Sequence, residues 1–481
     1  MQHNPSLYAD ENLLARLDRT PITKTTIGII VLLSIVWLAE AFDIGIVGPV
    51  LTVLKSNWHL TQNDMGLLGI ASTVGVVLGM IPAGILADRF GRRKVVLYGM
   101  LIFSIITMAG ALTHAVWQLV AVRLLAGIGE GAVLPMPYLF LSEFVHSKRR
   151  AVSIGYSNGV LTAAYLIPNL AALWALHTFS SDMAWRVPFY LGGIPLILLI
   201  PRVIWLPESP RYLLKNNKRE QVMRLVEKLE NEAGLPHDTE LINRKALVVI
   251  QKGANTLPTA KVLFRSPYLQ RGMIVAAQLT AALVLFYILL VFGPTLLMSR
   301  GFGNGSAILF TGLMMGMAGI GSIVQGYLAD RYGRKKILTT YFLLAAIGAG
   351  MFGLFSSPAL VIFAGFLTSF FGLGVFPVSK LTVAEQYPTR LRGHGVYSNE
   401  MAARVLSGIV TIYFIPLLLN MWGNRVIFEG IAIAILLLAL PFVIFGRETS
   451  NISVEEAGTD LSFEQIESAL SHDTASNKVT T

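Results

Sequence analysis

Gly84-Ile-Leu-Ala-Asp-Arg-Phe-Gly-Arg-Arg-Lys94 is a short polar stretch set between two long apolar runs. Gly326-Tyr-Leu-Ala-Asp-Arg-Tyr-Gly-Arg-Lys-Lys336 repeats its Gly, Leu-Ala-Asp-Arg, Gly-Arg and closing Lys at a displacement of 242 residues (84 to 326), about half the chain. The flanking runs match the roughly 20 residues of helix needed to cross about 30 Å of hydrocarbon. The chain therefore reads as one membrane-spanning design written twice.

A turn of this composition suits the point where one helix leaves the bilayer and the next enters it. Gly84 and Gly91 let backbones approach or turn, and Asp88 is placed to pair with an arginine and with a neighbouring helix N-terminus. Such a knot can hold two helices together in one conformational state and release them in another. Anchoring on the cytoplasmic side would explain the basic residues Arg89, Arg92, Arg93 and Lys94, but not the repeated Gly and Asp positions.

The 481 residues are 54% hydrophobic and 14% charged, with a mean hydropathy of +0.62, which places the chain among polytopic membrane proteins. Its formal charge of +10 sits in short loops between apolar runs. That is the pattern of the positive-inside rule rather than of nucleic-acid binding. With no cysteine there is no disulfide, thiolate metal site or cysteine nucleophile, and neither a metal nor a cofactor is expected. Residues 1–26 are polar and mixed in charge, without the features of a signal peptide, so the first span is expected to be retained.

About twelve apolar runs are found, near 27–51, 64–87, 95–113, 116–142, 151–176, 185–206, 271–298, 306–329, 337–355, 358–385, 394–420 and 425–446. The predicted fold class is all-α, with twelve transmembrane helices in two pseudo-symmetric six-helix halves. Residues 1–26 form a cytoplasmic N-terminal segment, 27–206 the first half, 207–270 a cytoplasmic linker, 271–446 the second half and 447–481 a cytoplasmic, partly disordered tail. Glu143 and Glu385, and Arg150 and Arg392, repeat at the same displacement of 242. Within the linker, Met223, Leu225, Val226 and Leu229 mark one face of an amphipathic helix that braces the surface or receives a partner. Basic loops on one side of a twelve-span arrangement put both termini in the cytoplasm.

Ionisable side chains inside spans are costly and become functional candidates by default. Glu40 and Asp43 share a helix face in the first span, and Arg123 and Glu130 share one in the fourth. Lys380 lies toward the end of the tenth span, with Glu400 and Arg404 in the eleventh. An Asp43–Arg123 pair would hold the carboxylate ionised, either as a permanent strut or as a proton-coupled switch with Glu40 or Glu130 as a second proton site. Lys380 and Arg404 offer two cations to a substrate carboxylate. Alternatively, Glu400 neutralises Arg404 along its own helix and Lys380 snorkels to the interface.

Arg123, Gly127-x-Gly129-x-Gly131, Pro135, Glu143 and Arg150, with Pro207-Glu-Ser-Pro-Arg-Tyr-Leu-Leu214 after the sixth span, resemble the sugar porters of the major facilitator superfamily, whose loops also carry the duplicated motif. Glu448-Thr449, with Ser453 and Glu455, resembles their carboxy-terminal tail. The resemblance covers nearly all of the chain except its ends. It implies that an acid in span one faces the span-four arginine, here Asp43 and Arg123. It also implies gating by Gly84, Asp88, Arg92, Glu143 and Arg150, and by Asp330, Arg334, Glu385 and Arg392. The span-seven pattern of sugar porters is kept only at Gln278 and Tyr287, Asn158 stands where a glutamine is common, and Lys380 replaces a tryptophan. Glu40-Ala-Phe-Asp43-Ile-Gly, and Glu385-Gln-Tyr-Pro-Thr-Arg-Leu-Arg392 with Arg404, resemble the nearby transporters of nicotinate, aromatic acids and organic ions.

No hydrolase elbow, zinc-protease motif or phosphate-binding loop is present, so an enzyme is not expected. A nutrient sensor usually carries longer cytoplasmic extensions, and an antiport exporter a Gly-Pro motif in span five that is missing here. The reading is a proton-coupled importer of a small organic metabolite, most simply a carboxylate, working as a monomer in the plasma (cell inner) membrane by rocking of its halves. A sugar or polyol porter, by symport or uniport, or a proton-antiport exporter is the alternative. Substrate-site candidates are Lys380, Arg404, Gln278, Tyr287, Asn158, Tyr138 and Glu400, with Asp43, Glu40, Arg123 and Glu130 for the proton. The partners expected are a small-molecule substrate, protons and the lipid bilayer.

Overall fold

The computed structural model describes residues 5–145, 150–194, 205–237, 263, 267–387 and 389–449, and among these the regular structure is helical throughout. Long apolar helices run Lys24–Asn57, Gln62–Ala87, Arg92–Gly110, Val116–Leu141, Val152–Thr178, Tyr268–Met298, Asn304–Tyr332, Arg334–Leu354 and Pro358–Glu385. Gly393–Phe445 holds two further spans, separated at Gly423, whose φ of 73° interrupts the helix. Of the expected sixth span, 185–206, Val187–Leu191 is helical and residues 195–204 lie outside the described residues. Large apolar side chains such as Ile85, Leu112, Trp117, Ile433 and Phe445 point outward. A lipid-facing surface requires this, because hydrocarbon offers backbone polar groups no partner outside a closed helix.

Four breaks within spans fall just ahead of a proline, although Pro82, Pro294, Pro416 and Pro441 sit inside helices. A proline ring clashes with the carbonyl four residues back, and proline donates no backbone hydrogen bond. Helix Lys24–Gly45 ends four residues before Pro49, Val116–Val133 four before Pro137, and Arg150–Ala164 four before Pro168. The π-helical turn Ser369–Leu373 in the tenth span ends four before Pro377. In the eleventh span the π-helical segment Val405–Thr411 starts directly after Arg404. Asp43, Glu130 and Arg404 therefore lie in the last turn before an interruption, and Lys380 lies in the helix Phe376–Glu385 that follows one.

Span two packs on span four without room for side chains. A Cβ at Gly75, Gly79, Gly127 or Gly131 would meet the backbone of the opposite helix. Small residues at such a crossing let helices approach closely in a bilayer, and this gives the Gly127-x-Gly129-x-Gly131 series a packing role. It also sets the face of the fourth span that carries Arg123 and Glu130.

Outside the spans, the first segment is helical at Pro5–Arg19, which composition did not reveal, and packs on linker helix Arg219–Ala233. Leu13 and Leu17 bury against Leu213, Val222, Val226 and Leu229. Met223 is exposed, so the buried linker stripe runs through Val222 rather than Met223 as expected. Glu230 receives Arg16 Nη2 at 2.6 Å and Arg19 Nη2 at 2.7 Å, with His237 Nδ1 at 3.1 Å. Burial pushes the Glu230 carboxyl up, but the hydrogen bonds from Arg16, Arg19 and His237 overcome this and hold it down at about 2.

A depressed carboxyl stabilises the docked helix above its unfolded value of about 4.5 and loses that stabilisation as pH falls toward about 2. Spin labels on introduced cysteines at Asp18 and Lys228 should report a narrow distance at pH 7 that broadens progressively below about pH 4.5. Glu230→Gln should broaden it already at pH 7. An unchanged distance in that variant would show that the apolar contacts alone hold the helix.

Candidate functional site

Six ionisable side chains meet near the helix interruptions, in two groups of three. In the first, Arg123 Nη1 lies 3.2 Å from Asp43 Oδ2, and its Nη2 donates to the Asp43 carbonyl at 3.1 Å. Glu130 Oε1 is 4.0 Å from Arg123 Nη2, and neither Glu130 oxygen has a hydrogen-bond partner. All three side chains are at most 2% exposed, so their interaction is barely screened by water.

The second group is carried by spans ten and eleven. One oxygen of Glu400 accepts from Lys380 Nζ at 3.2 Å and Arg404 Nη2 at 2.9 Å. Arg404 Nη1 donates to Tyr287 Oη of the seventh span at 2.5 Å. Lys380 Nζ lies 4.6 Å from the centre of the Tyr138 ring, within cation–π range, and Tyr138 packs on Trp37 at 4.4 Å. Phe286 links Tyr165, Tyr287 and Phe376 edge to face. The two cations are thus set among aromatic faces from both halves of the sequence.

Neutral polar groups complete the surroundings. Tyr138 Oη donates to Asn158 Oδ1 at 2.6 Å, and Asn158 Nδ2 donates to Ser322 Oγ at 3.1 Å. Gln278 is fully buried, yet neither its amide nitrogen nor its oxygen has a hydrogen-bond partner. The same holds for both oxygens of Glu40. Buried polar groups are ordinarily paired, so Gln278 and Glu40, like Glu130, stand out as groups available to something that binds.

At the duplicated motifs the two halves repeat one staple. Arg92 pairs with Glu143, whose second oxygen accepts from Ser209 Oγ at 2.6 Å. Arg334 pairs with Glu385 at 3.1 Å, whose second oxygen accepts from Thr449 Oγ1 at 2.5 Å. Glu208 accepts from the backbone N–H of Arg92 at 3.0 Å, and Glu448 accepts from that of Arg334 at 2.9 Å. Gly91 and Gly333, at φ of 98° and 95°, supply the left-handed turn before each capped helix, and a Cβ at either would strike the glutamate. Asp330 Oδ2 accepts from the Val152 N–H of the fifth span at 3.2 Å, and Gly84 lies against Tyr397 of the eleventh. The side chains of Asp88, Arg150 and Arg392 lie outside the described residues.

The family description for sugar (and other) transporters matches residues 29–461. The chain belongs to this transporter family. It is 26% identical over 447 residues to the niacin transporter NiaP of Acinetobacter baylyi, covering 93% of this chain and 100% of that protein. It is 25% identical over 400 residues to the 4-hydroxybenzoate transporter PcaK of Pseudomonas putida, covering 79% and 83%. In fold it is similar to a structure of the major facilitator superfamily proton:xylose symporter XylE of E. coli, with a TM-score of 0.75, 18% identity and coverage of 90% and 98%.

For a transporter of this family, the sequence located the charged residues but not all of their partners. Lys380 does not snorkel: its side chain is 12% exposed and is held on Glu400. Nor are Lys380 and Arg404 free cations, because Glu400 engages both. Ser322 and the capping glutamates Glu208 and Glu448 escaped notice as contacts. For the caps a signal existed, since Glu208-Ser209 and Glu448-Thr449 recur at a displacement of 240, two residues out of phase with the main repeat.

Proposed function

We propose that this transporter imports a small aromatic carboxylate together with protons by alternating access. The observation that carries the reading is the placement of Lys380 and Arg404 on one Glu400 oxygen beside the rings of Tyr138, Tyr287 and Phe376. A carboxylate recruits charge-assisted donors and an aromatic ring recruits the faces around them. The printed names of the niacin and 4-hydroxybenzoate relatives describe substrates of that chemistry.

Asp43 and Glu130, beside Arg123, are the proton site. A proton between two facing carboxyls relieves their repulsion and frees the guanidinium to change partners as the halves rock. The paired staples of Arg92 with Glu143 and Arg334 with Glu385, with Gly84 and Asp330 at the contacts between halves, act as gates on the cytoplasmic side. On this reading both termini are cytoplasmic, the protein sits as a monomer in the plasma (inner) membrane, and residues 27–206 and 271–446 are the moving halves. Gln278, without a partner, together with Asn158, favours a hydroxyl-bearing ligand as the second reading, a sugar or polyol porter.

Proteoliposomes with a pH-sensitive dye inside, given nicotinate, 4-hydroxybenzoate, xylose and choline, separate these readings. An aromatic acid should acidify the lumen of parent vesicles well beyond protein-free vesicles, and Asp43→Asn should abolish the signal. Uptake of xylose alone would replace the carboxylate reading by the sugar one. Labelled acid entering parent and variant equally, without proton flux, would remove proton coupling.

A further inference from the structure

Spans five and eight, one from each half, meet backbone to backbone. A Cβ at Gly155 would lie 3.3 Å from the Gly326 Cα, and one at Gly319 would lie 2.7 Å from the Gly159 carbonyl oxygen. Small residues let helices close to this distance. Among the described residues, hydrogen bonds cross this seam at several levels. The Val152 N–H donates to Asp330 at 3.2 Å, the Tyr156 and Tyr327 hydroxyls meet at 2.6 Å, and Asn158 Nδ2 donates to Ser322 Oγ at 3.1 Å. The last of these is buried, with Asn158 and Ser322 at most 1% exposed.

Asn158 is also the point where the seam touches the cation site. Its Oδ1 accepts from Tyr138 Oη at 2.6 Å, so the phenol fixes which end of the amide faces Ser322. The same ring carries Lys380 Nζ 4.6 Å from its centre, and Trp37 packs against it at 4.4 Å. Tyr138 thus joins span ten, through Lys380, to the contact of spans five and eight. The ring is rigid, so a push on its face is carried to the hydroxyl. A hydrogen bond of this length ends once the oxygen moves by about 1 Å.

We propose that Tyr138 is a positioning residue that reports occupancy of the Lys380 site to the seam between the halves, through Asn158 and Ser322. This rests on the reading of the site as an aromatic-carboxylate site. A carboxylate drawing on Lys380 competes with the Tyr138 face for the ammonium, and a ring seated beside it shifts Tyr138. The Asn158 amide then loses the donor that orients it, and its bond to Ser322 lapses. The ends of spans five and eight that carry Val152 and Asp330 are then free to part. Without a ligand the same chain of contacts holds the seam shut. Tyr138 therefore acts on the step that follows binding.

The chain has no cysteine, so Tyr156→Cys with Tyr327→Cys gives a clean pair across the seam for a short bifunctional methanethiosulfonate. In the reconstituted full chain, saturating nicotinate or 4-hydroxybenzoate should slow cross-linking of this pair by about fivefold or more, the low end of ordinary coupling between sites. With Ser322→Ala added, either acid should bind within about threefold of the parent pair, while saturation changes cross-linking by less than about twofold. Ser322→Thr, which keeps a hydroxyl, should restore the response. Tyr138→Phe keeps the ring beside Lys380 and should also lose the response. Measured without the cysteine pair, its maximal uptake should fall by about tenfold and its KM should change far less.

A Ser322→Ala or Tyr138→Phe protein that keeps the parent response overturns the inference, as does a parent pair whose cross-linking ignores a bound acid. So does a Tyr138→Phe protein that loses affinity with maximal uptake unchanged, since Tyr138 would then be a substrate contact alone. Ser322→Ala reads the relay independently if Tyr138→Phe does not fold. If the parent binds neither acid, the carboxylate reading itself fails and takes this inference with it.

Discussion

Arg404→Ala is expected to lower the affinity for an aromatic carboxylate by about 30- to 4,000-fold and to reduce uptake to background. The guanidinium is fixed before any substrate arrives, by Glu400 at 2.9 Å and Tyr287 at 2.5 Å, so a bound carboxylate meets a donor already oriented. Removing one partner of a buried charge contact costs about 2–5 kcal/mol, and each 1.4 kcal/mol is about tenfold in affinity. The fold should survive, because Lys380 still neutralises Glu400 at 3.2 Å. Arg404→Lys should recover only part of the affinity, since an ammonium does not present the planar fork that meets Glu400 and Tyr287 together. Binding and melting temperature measured on the same preparations check this. A variant with near-parental affinity would move the carboxylate site away from Arg404.

Arg123→Leu is expected to act first on stability, by about 3–5 kcal/mol, the usual cost of stripping the partner from a buried ion pair. Asp43 and Glu130 would then face one another with no cation. Their like charges can be relieved only by protons, so the melting temperature of this variant should rise as pH falls from 8 to 5.5, while the parent changes little. Asp43→Asn combined with Arg123→Leu should recover much of the loss, because the pair is removed as a unit. A variant as stable as the parent at pH 8 would show that Asp43 and Glu130 carry a proton without help from Arg123. The two arginines differ in this respect: Arg404 has a cationic neighbour on Glu400, whereas Asp43 relies on Arg123 for its ion pair.

The membrane class, the span count and the duplication were legible in the chain because each is a property of local or periodic composition. An apolar run of membrane length declares itself, and the Gly-x-x-x-Asp-Arg motif at a fixed displacement declares the repeat. Asp43, Glu40, Arg123, Glu130, Lys380 and Arg404 were conspicuous for the same reason, as charges inside apolar runs. What each charge meets is a different matter, since partners 80 residues apart along the chain, such as Arg123 and Asp43, are joined only by how the helices cross. Packing also turned the linker stripe through Val222 and placed helix Pro5–Arg19 on it, two features that the polar composition of those segments concealed. The sequence by itself thus determined the membrane fold, its two halves and the inventory of buried charge. Only the tertiary structure decided that Glu400 holds Lys380 and Arg404 together while Glu40 and Gln278 are left without hydrogen bonds, because pairing in a low-dielectric interior depends on ångström-scale distances set by helix crossing and helix breaks.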